Sequence, residues 1–242
     1  MNPTGVGIYL TRAAYKPGVE QRAAKAKAAR CRWVALCIAG DDGWEAAPPG
    51  IATVAEAYRE LGIAVWVWSL DSREHARDPS RVATRLLDAL SAAGGAGVAL
   101  DIEAAYKGTQ GVVGRVVSKV VDGLTERHGL GVTSYPIARY HPDLPWAEMG
   151  VGWGGPQLYR TAERSDLSAI ALEDWKKTHD VVIPHFAAFD VGAPDRGTQA
   201  PQLRSHLRLT PPESPAIAIW ADAALDDEER AVLAGFAVKR GW

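Results

Sequence analysis

Cysteine is nearly absent: the 242 residues hold two, Cys31 and Cys37. On one strand they would stand roughly 20 Å apart, at about 3.3 Å per residue. A disulfide spans at most about 7 Å between Cα atoms, so a bridge within the chain is excluded and both read as buried thiols. Neither has a His or Cys at zinc-ligand spacing, and His141 and His185 lie too far apart to argue a metal centre; no metal or cofactor is expected. Charge of one sign is also missing. The 27 Lys and Arg against 29 Asp and Glu give a formal net charge of −2, which points away from nucleic acid and from anionic membranes as partners. No window approaches the roughly 18 apolar residues of a membrane span. Residues 1–12 lack the basic start and apolar run of a secretory signal, so the expectation is a soluble chain made in the cytoplasm. A phage or secretion assembly would then deliver it to a cell wall. A Gly-rich phosphate loop after an early strand is absent, and no nucleophilic Ser or Cys is matched with a His base. Phenylalanine is scarce, at 3 residues against 9 Trp. A core does not need that bias, because a buried Trp wants a partner for its N–H; a ligand surface of flat aromatic faces explains it better.

What is present is alternation. At 47% hydrophobic the chain can bury a large core, and its length suits one domain over residues 1–242. Residues 5–10, 33–39, 63–70, 97–103, 130–135, 151–159, 181–189 and 216–220 read as strands. Helical stretches fall between them, at 17–30, 51–61, 78–92, 111–127, 166–179 and 199–207, with a last one from Asp226, where Glu229 completes a capping box. Pro184 interrupts the seventh strand and obscures which of its residues face inward. Eight strands alternating with helices predict an α/β fold, a (β/α)8 TIM barrel. Strands 1, 2, 4 and 8 set Val, Ile and Leu on one face and Gly or Ala on the other, as helix-facing and interior faces of a barrel require. An open doubly wound sheet is the alternative.

The organising stretch is Gly97-Val98-Ala99-Leu100-Asp101-Ile102-Glu103. Residues two apart share a strand face, so Gly97, Ala99, Asp101 and Glu103 point one way. Small residues ending in two acids suit a tight interior that opens on a site at the C-terminal mouth. Inward positions at the other strand ends add Tyr9, Asp41, Trp66, Trp68, Tyr135, Gln157, Tyr159, Trp220 and Asp222. Aromatics, carboxylates and one amide match glycosidic cleavage, in which a protonated carboxyl serves the leaving oxygen and a second group stabilises the oxocarbenium-like centre. Glu103 is the candidate acid. Asp101 is the neighbouring charge that would keep it protonated, and Gln157 and Tyr159 would orient the reacting group.

Asp101-Ile102-Glu103 on strand 4, Gln157-Leu158-Tyr159 on strand 6 and Trp220 on strand 8 resemble the chitinase-like barrels of glycoside hydrolase family 18. That resemblance implies a polysaccharide substrate, with Glu103 as general acid/base, Asp101 and Tyr159 holding the substrate's N-acetyl group, whose oxygen is the nucleophile, and Trp220 flooring the sugar site. In the family's D-x-x-D-x-D-x-E pattern Ala96 and Ala99 replace the first two acids, and the Ser-x-Gly-Gly segment of strand 3 is absent. Family 25 lysozymes, which cleave peptidoglycan, also carry Asp-x-Glu on strand 4 and lack those upstream acids. They usually have an Asp at the end of strand 1, where this chain has Tyr9, and one on strand 8, where Asp222 could match. The expectation is a hydrolase of an N-acetylated glycan, peptidoglycan before chitin. The rival is a catalytically inactive barrel that binds glycan or serves in a larger assembly, which a Glu103 ion pair to Arg139 or Arg160 would favour. An aldolase or phosphate-ester barrel is a third reading, without an inward Lys to support it.

Overall fold

The computed structural model describes residues 1–11, 15–38, 48–69, 78–160, 165–187, 200–221 and 225–242. Its strands are β1 (Gly5–Leu10), β2 (Cys31–Cys37), β3 (Ala64–Ser69), β4 (Gly97–Asp101), β5 (Gly129–Ser134), β6 (Trp153–Pro156), β7 (Val181–Val182), β8 (His185–Ala187) and β9 (Ala216–Ala221). All pair in parallel in the order β7-β6-β5-β4-β3-β2-β1-β9-β8. β7 and β8 are two halves of one barrel strand. Proline has no N–H to give a ladder, and the strand parts at Ile183-Pro184, so that β7 pairs with β6 and β8 with β9. A parallel bridge between Gln157 and His185 joins β6 to β8 and closes the barrel. The eight expected strand positions are therefore all present, as a (β/α)8 barrel.

The helices are α1 (Val19–Ala28), α2 (Ile51–Glu60), α3 (Pro79–Ala93), α4 (Val112–Gly123), α5 (Ser165–Lys176), α6 (Ala200–Leu207) and α7 (Asp227–Arg240). Their ends follow local chemistry. Asp78 accepts from the Arg81 N–H at the start of α3, with Pro79 in its first turn, and Gly94 ends it in the left-handed conformation. Asp226 and Glu229 form the expected capping box on α7. The start of α4 has no cap of its own; Glu148, in the loop after β5, accepts from the backbone N–H groups of Gly111 and Gly114 at 2.5 and 2.7 Å.

Two apolar layers follow from the strand alternation. Val, Ile and Leu from the outer face pack on the helices, and Tyr58, Val82, Leu86 and Val116 belong to that layer. The interior layer is aromatic and small: Tyr9, Trp33, Trp66, Trp68, Trp153, Ala35, Ala99, Ala216 and Ala218. Large rings fit because the neighbouring strands give them glycine in register. A Cβ at Gly7 would fall within 3.0 Å of the Trp33 ring, and one at Gly131 within 3.0 Å of Trp153. Trp66 lies against Gly97 and Gly129 in the same way. Cys31 and Cys37 are buried and form no disulfide.

Candidate active site

Strand register sets depth in the barrel. Trp66 pairs with Gly97, the first residue of β4, and its ring packs among Gly97, Gly129, Trp33 and Trp153. It plugs the N-terminal half of the interior, so its expected place at a sugar site is corrected. Trp68 pairs with Ala99, one pleat higher, and reaches the mouth as a buried backing: its Nε1 donates to the Leu10 carbonyl at 3.1 Å, and its ring meets Tyr9 and Trp220.

Asp101 ends β4 and is 3% exposed; Glu103 follows on the first turn beyond the strand and is half-buried. The structure brings the two acids to one amide. Gln157 Nε2 donates to Asp101 Oδ1 at 2.9 Å, and the same side chain hydrogen-bonds Glu103. Gln157 is held there because the sheet carries its backbone one residue past β6: its N–H donates to Ser134 at 3.0 Å, and it forms the closing bridge to His185. Burial pushes the Glu103 carboxyl up from its ordinary range, against a downward pull from the Gln157 hydrogen bond. The result is a carboxylic acid inclined to keep its proton next to a buried second carboxyl.

Aromatic rings wall this pair. Tyr9 stacks on Trp220 with centroids 5.6 Å apart, and Trp220 also meets Trp68 at 4.7 Å and Tyr159 at 6.0 Å. Tyr9 is fully buried, whereas Trp220 and Tyr159 keep partial exposure. Tyr159 sits on a 3-10 turn (Leu158–Arg160), not on the strand the sequence suggested, and the turn carries its ring over to Trp220. Burial, then the negative charge of Asp101, pushes both the Tyr9 and Tyr159 hydroxyls up, so both stay protonated. Neither hydroxyl has a hydrogen-bond partner among the described residues. Buried polar atoms are seldom left unpaired, and a bound polar ligand is one way to pair them.

His185 joins this cluster, although the sequence reading did not name it among the inward positions. Its ring is 4.9 Å from Tyr9 and 5.8 Å from Trp153, and its Nδ1 is 3.0 Å from Thr133 Oγ1. Thr133 donates its hydroxyl hydrogen to the Gly155 carbonyl at 2.8 Å, so its oxygen accepts from His185 Nδ1–H. That leaves Nε2 as a bare acceptor, again without a partner among the described residues. Burial pushes His185 down to about 3, so it is neutral. Thr133 was missed because a Thr in a Gly-rich strand carries no distinguishing signal.

Tyr135 packs against the outer apolar layer. Its ring stacks on His141 at 4.0 Å, with the Lys107 ammonium 5.5 Å from its centroid. Lys107 pairs with Asp143. Arg139 is committed to Asp174, at 3.0 and 2.6 Å, and not to Glu103. Asp41 and Asp222 lie outside the described residues, as does the Arg160 side chain. Among the described residues no group of three metal-ligating side chains occurs, and no helix is long and apolar enough to cross a membrane.

No protein-family model matches the sequence, and no curated protein matches it. Solved structures do share its fold. The spore cortex-lytic enzyme SleL of Bacillus cereus superposes with a TM-score of 0.73 at 12% identity, over 97% of this chain and 74% of that one. A chitinase from Bacteroides thetaiotaomicron gives 0.71 at 12% identity, over 99% and 98%. The xylanase and alpha-amylase inhibitor protein XAIP-II from Scadoxus multiflorus gives 0.57 at 15% identity, over 99% and 98%. The fold is thus that of the chitinase-like barrels.

Proposed function

We propose that this chain is a glycoside hydrolase of an N-acetylated glycan, with peptidoglycan favoured over chitin. The observation that carries the reading is the Gln157 amide tied to both Asp101 and Glu103 inside an aromatic wall. Glu103 is the proton donor to the glycosidic oxygen, since burial favours its protonated form. Asp101, next to it, holds a charge that stabilises the positive centre developing at the sugar carbon. The Tyr159 hydroxyl, without a partner among the described residues, is a donor for the substrate's N-acetyl oxygen, and Trp220 gives a flat face for the sugar ring. A nucleophile supplied by the substrate itself suits two acids that share one amide instead of facing each other across a sugar.

That mechanism needs the acetyl group. Release of reducing ends is measured from a fully N-acetylated polymer and from the same polymer after chemical deacetylation. Cleavage of the first and not the second is expected; equal cleavage of both contradicts the substrate-assisted route.

A non-catalytic glycan-binding or structural role is the second reading. Ala96 and Ala99 stand where the chitinase pattern has acids, and the same barrel occurs in a protein described as an inhibitor. Binding of the acetylated polymer without any release of reducing ends would favour it.

A further inference from the structure

The face of the barrel opposite the mouth carries an unbalanced positive charge. Two cavities open there. One, of about 440 Å³, lies between α6 and α7, with Leu207, Val232 and Phe236 on its floor and Arg204, Arg208 and Lys239 on its rim. The other, of about 310 Å³, is lined by Lys27, Arg30, Cys31, Arg32 and Trp242. They are neighbours. The Phe236 and Trp242 rings touch edge to face at 5.6 Å, and Arg240 lies over both.

Six cations line the two cavities, and no acid does among the described residues. Arg30, Arg32, Arg204, Arg208 and Lys239 make no ion pair among the described residues. Arg30 is also the one non-glycine residue with positive φ among the described residues, at 58°. Such a conformation is sterically disfavoured for a residue that carries a Cβ, and here it ends α1 just before β2. In a chain of net charge −2, this stripe is a local reversal of sign.

Cations in the last turn of a helix complement its dipole, and several of these do so. That role asks for one charge near each helix end and leaves the cavities and the aromatic wall unexplained. Dense phosphate is best cradled by backbone N–H groups at helix N-termini. Here the larger cavity runs along the flanks of α6 and α7, the smaller lies just past the end of α1, and side-chain cations line both. That arrangement complements isolated carboxylates.

We infer that this face is a second, non-catalytic docking surface for a carboxylate-bearing glycan, namely a peptidoglycan strand held through the carboxylates of its peptides. The inference rests on the proposed hydrolase reading and sharpens it, because chitin has no such charge. The surface would hold the polymer while the mouth, at the far end of the barrel, works on it.

The test uses Glu103→Gln protein, so that binding is read without turnover. Co-sedimentation is measured with peptidoglycan stripped of phosphate-bearing polymers, with unstripped wall, and with chitin, at low and high salt. Binding to stripped peptidoglycan is expected to weaken steeply with salt. The added changes Arg204→Glu, Arg208→Glu and Lys239→Glu should weaken it at least about tenfold at low salt. In the protein with Glu103 intact, these three changes should leave cleavage of a short, uncharged N-acetylated oligomer unchanged, which also shows that the variant folds. Unaltered peptidoglycan binding by the triple variant would overturn the inference, as would binding confined to unstripped wall. Should the oligomer resist cleavage by every protein while salt-sensitive binding persists, the hydrolase reading fails and the docking surface stands.

Discussion

Gly7→Ala probes the aromatic interior that forces all chemistry to one end of the barrel. A Cβ there falls within 3.0 Å of three atoms of the Trp33 ring. The ring cannot retreat: it is 1% exposed, and Tyr9, Trp66 and Trp153 surround it at centroid distances of 5.9, 6.4 and 6.3 Å. Overpacking a filled core costs about 1–3 kcal/mol, and the upper end applies where no neighbour can yield. Trp33→Leu removes the clashing ring and leaves a cavity, at about 2–4 kcal/mol by comparison with other large-to-small changes. In the double variant the new methyl enters space that the ring has vacated, so the two costs should not add. The coupling should favour the double variant by about 1–3 kcal/mol. Urea unfolding of the four proteins, with unchanged m-values, measures it. Additivity within about 0.5 kcal/mol would mean that the ring does not lie over Gly7, and the glycine-for-tryptophan account of the interior would fail.

Gln157→Leu removes a hydrogen bond that favours ionised Glu103. Burial then acts unopposed, the carboxyl moves further up, and the high-pH limb of kcat/KM should move to higher pH, because the acid must be protonated to donate; a static or falling limb contradicts the Gln157 role. Hydrogen bonds from Arg139 and Lys177, with their charges, hold Asp174 down at about 2. Its folded-state value lies below its unfolded one, so the stability it contributes is present above about pH 4 and lost as pH falls through 2. With Arg139 half-exposed, Asp174→Asn should cost about 1 kcal/mol at neutral pH and flatten acid unfolding over that window; an unchanged acid transition refutes it. Glu148→Ala should cost about 1 kcal/mol by uncapping α4, read by urea unfolding, and no loss would mean that the α4 N–H groups find water as good a partner.

The barrel was legible because a two-residue strand period and the spacing of helices between strands are local properties. Gly and Ala on one face of β1, β4 and β9 announced a tight interior, but not that Trp33, Trp66 and Trp153 fill it; the Trp bias had pointed to a ligand surface instead. Depth was not legible. Trp66 and Trp68 have the same parity, and only the register against β4 shows that the first plugs the barrel while the second backs the mouth. Alternation across β4 and β6 brought Asp101, Glu103 and Gln157 together from sequence, but Tyr159 reaches the site by a turn no periodicity encodes. His185 was obscured by Pro184, which breaks the strand so that parity could not be carried through it. The long loop after the fifth strand hid Glu148, whose role depends on a helix begun some 35 residues earlier.

The central claim is that Glu103 is the proton donor of a glycan hydrolase. Product release from peptidoglycan and from chitin oligomers, by the parent protein and by Glu103→Gln, tests it most directly. The substitution keeps shape and removes the transferable proton. The account predicts cleavage by the parent, on peptidoglycan above chitin, that falls at least about 100-fold in the variant. Equal cleavage by the two proteins would contradict it.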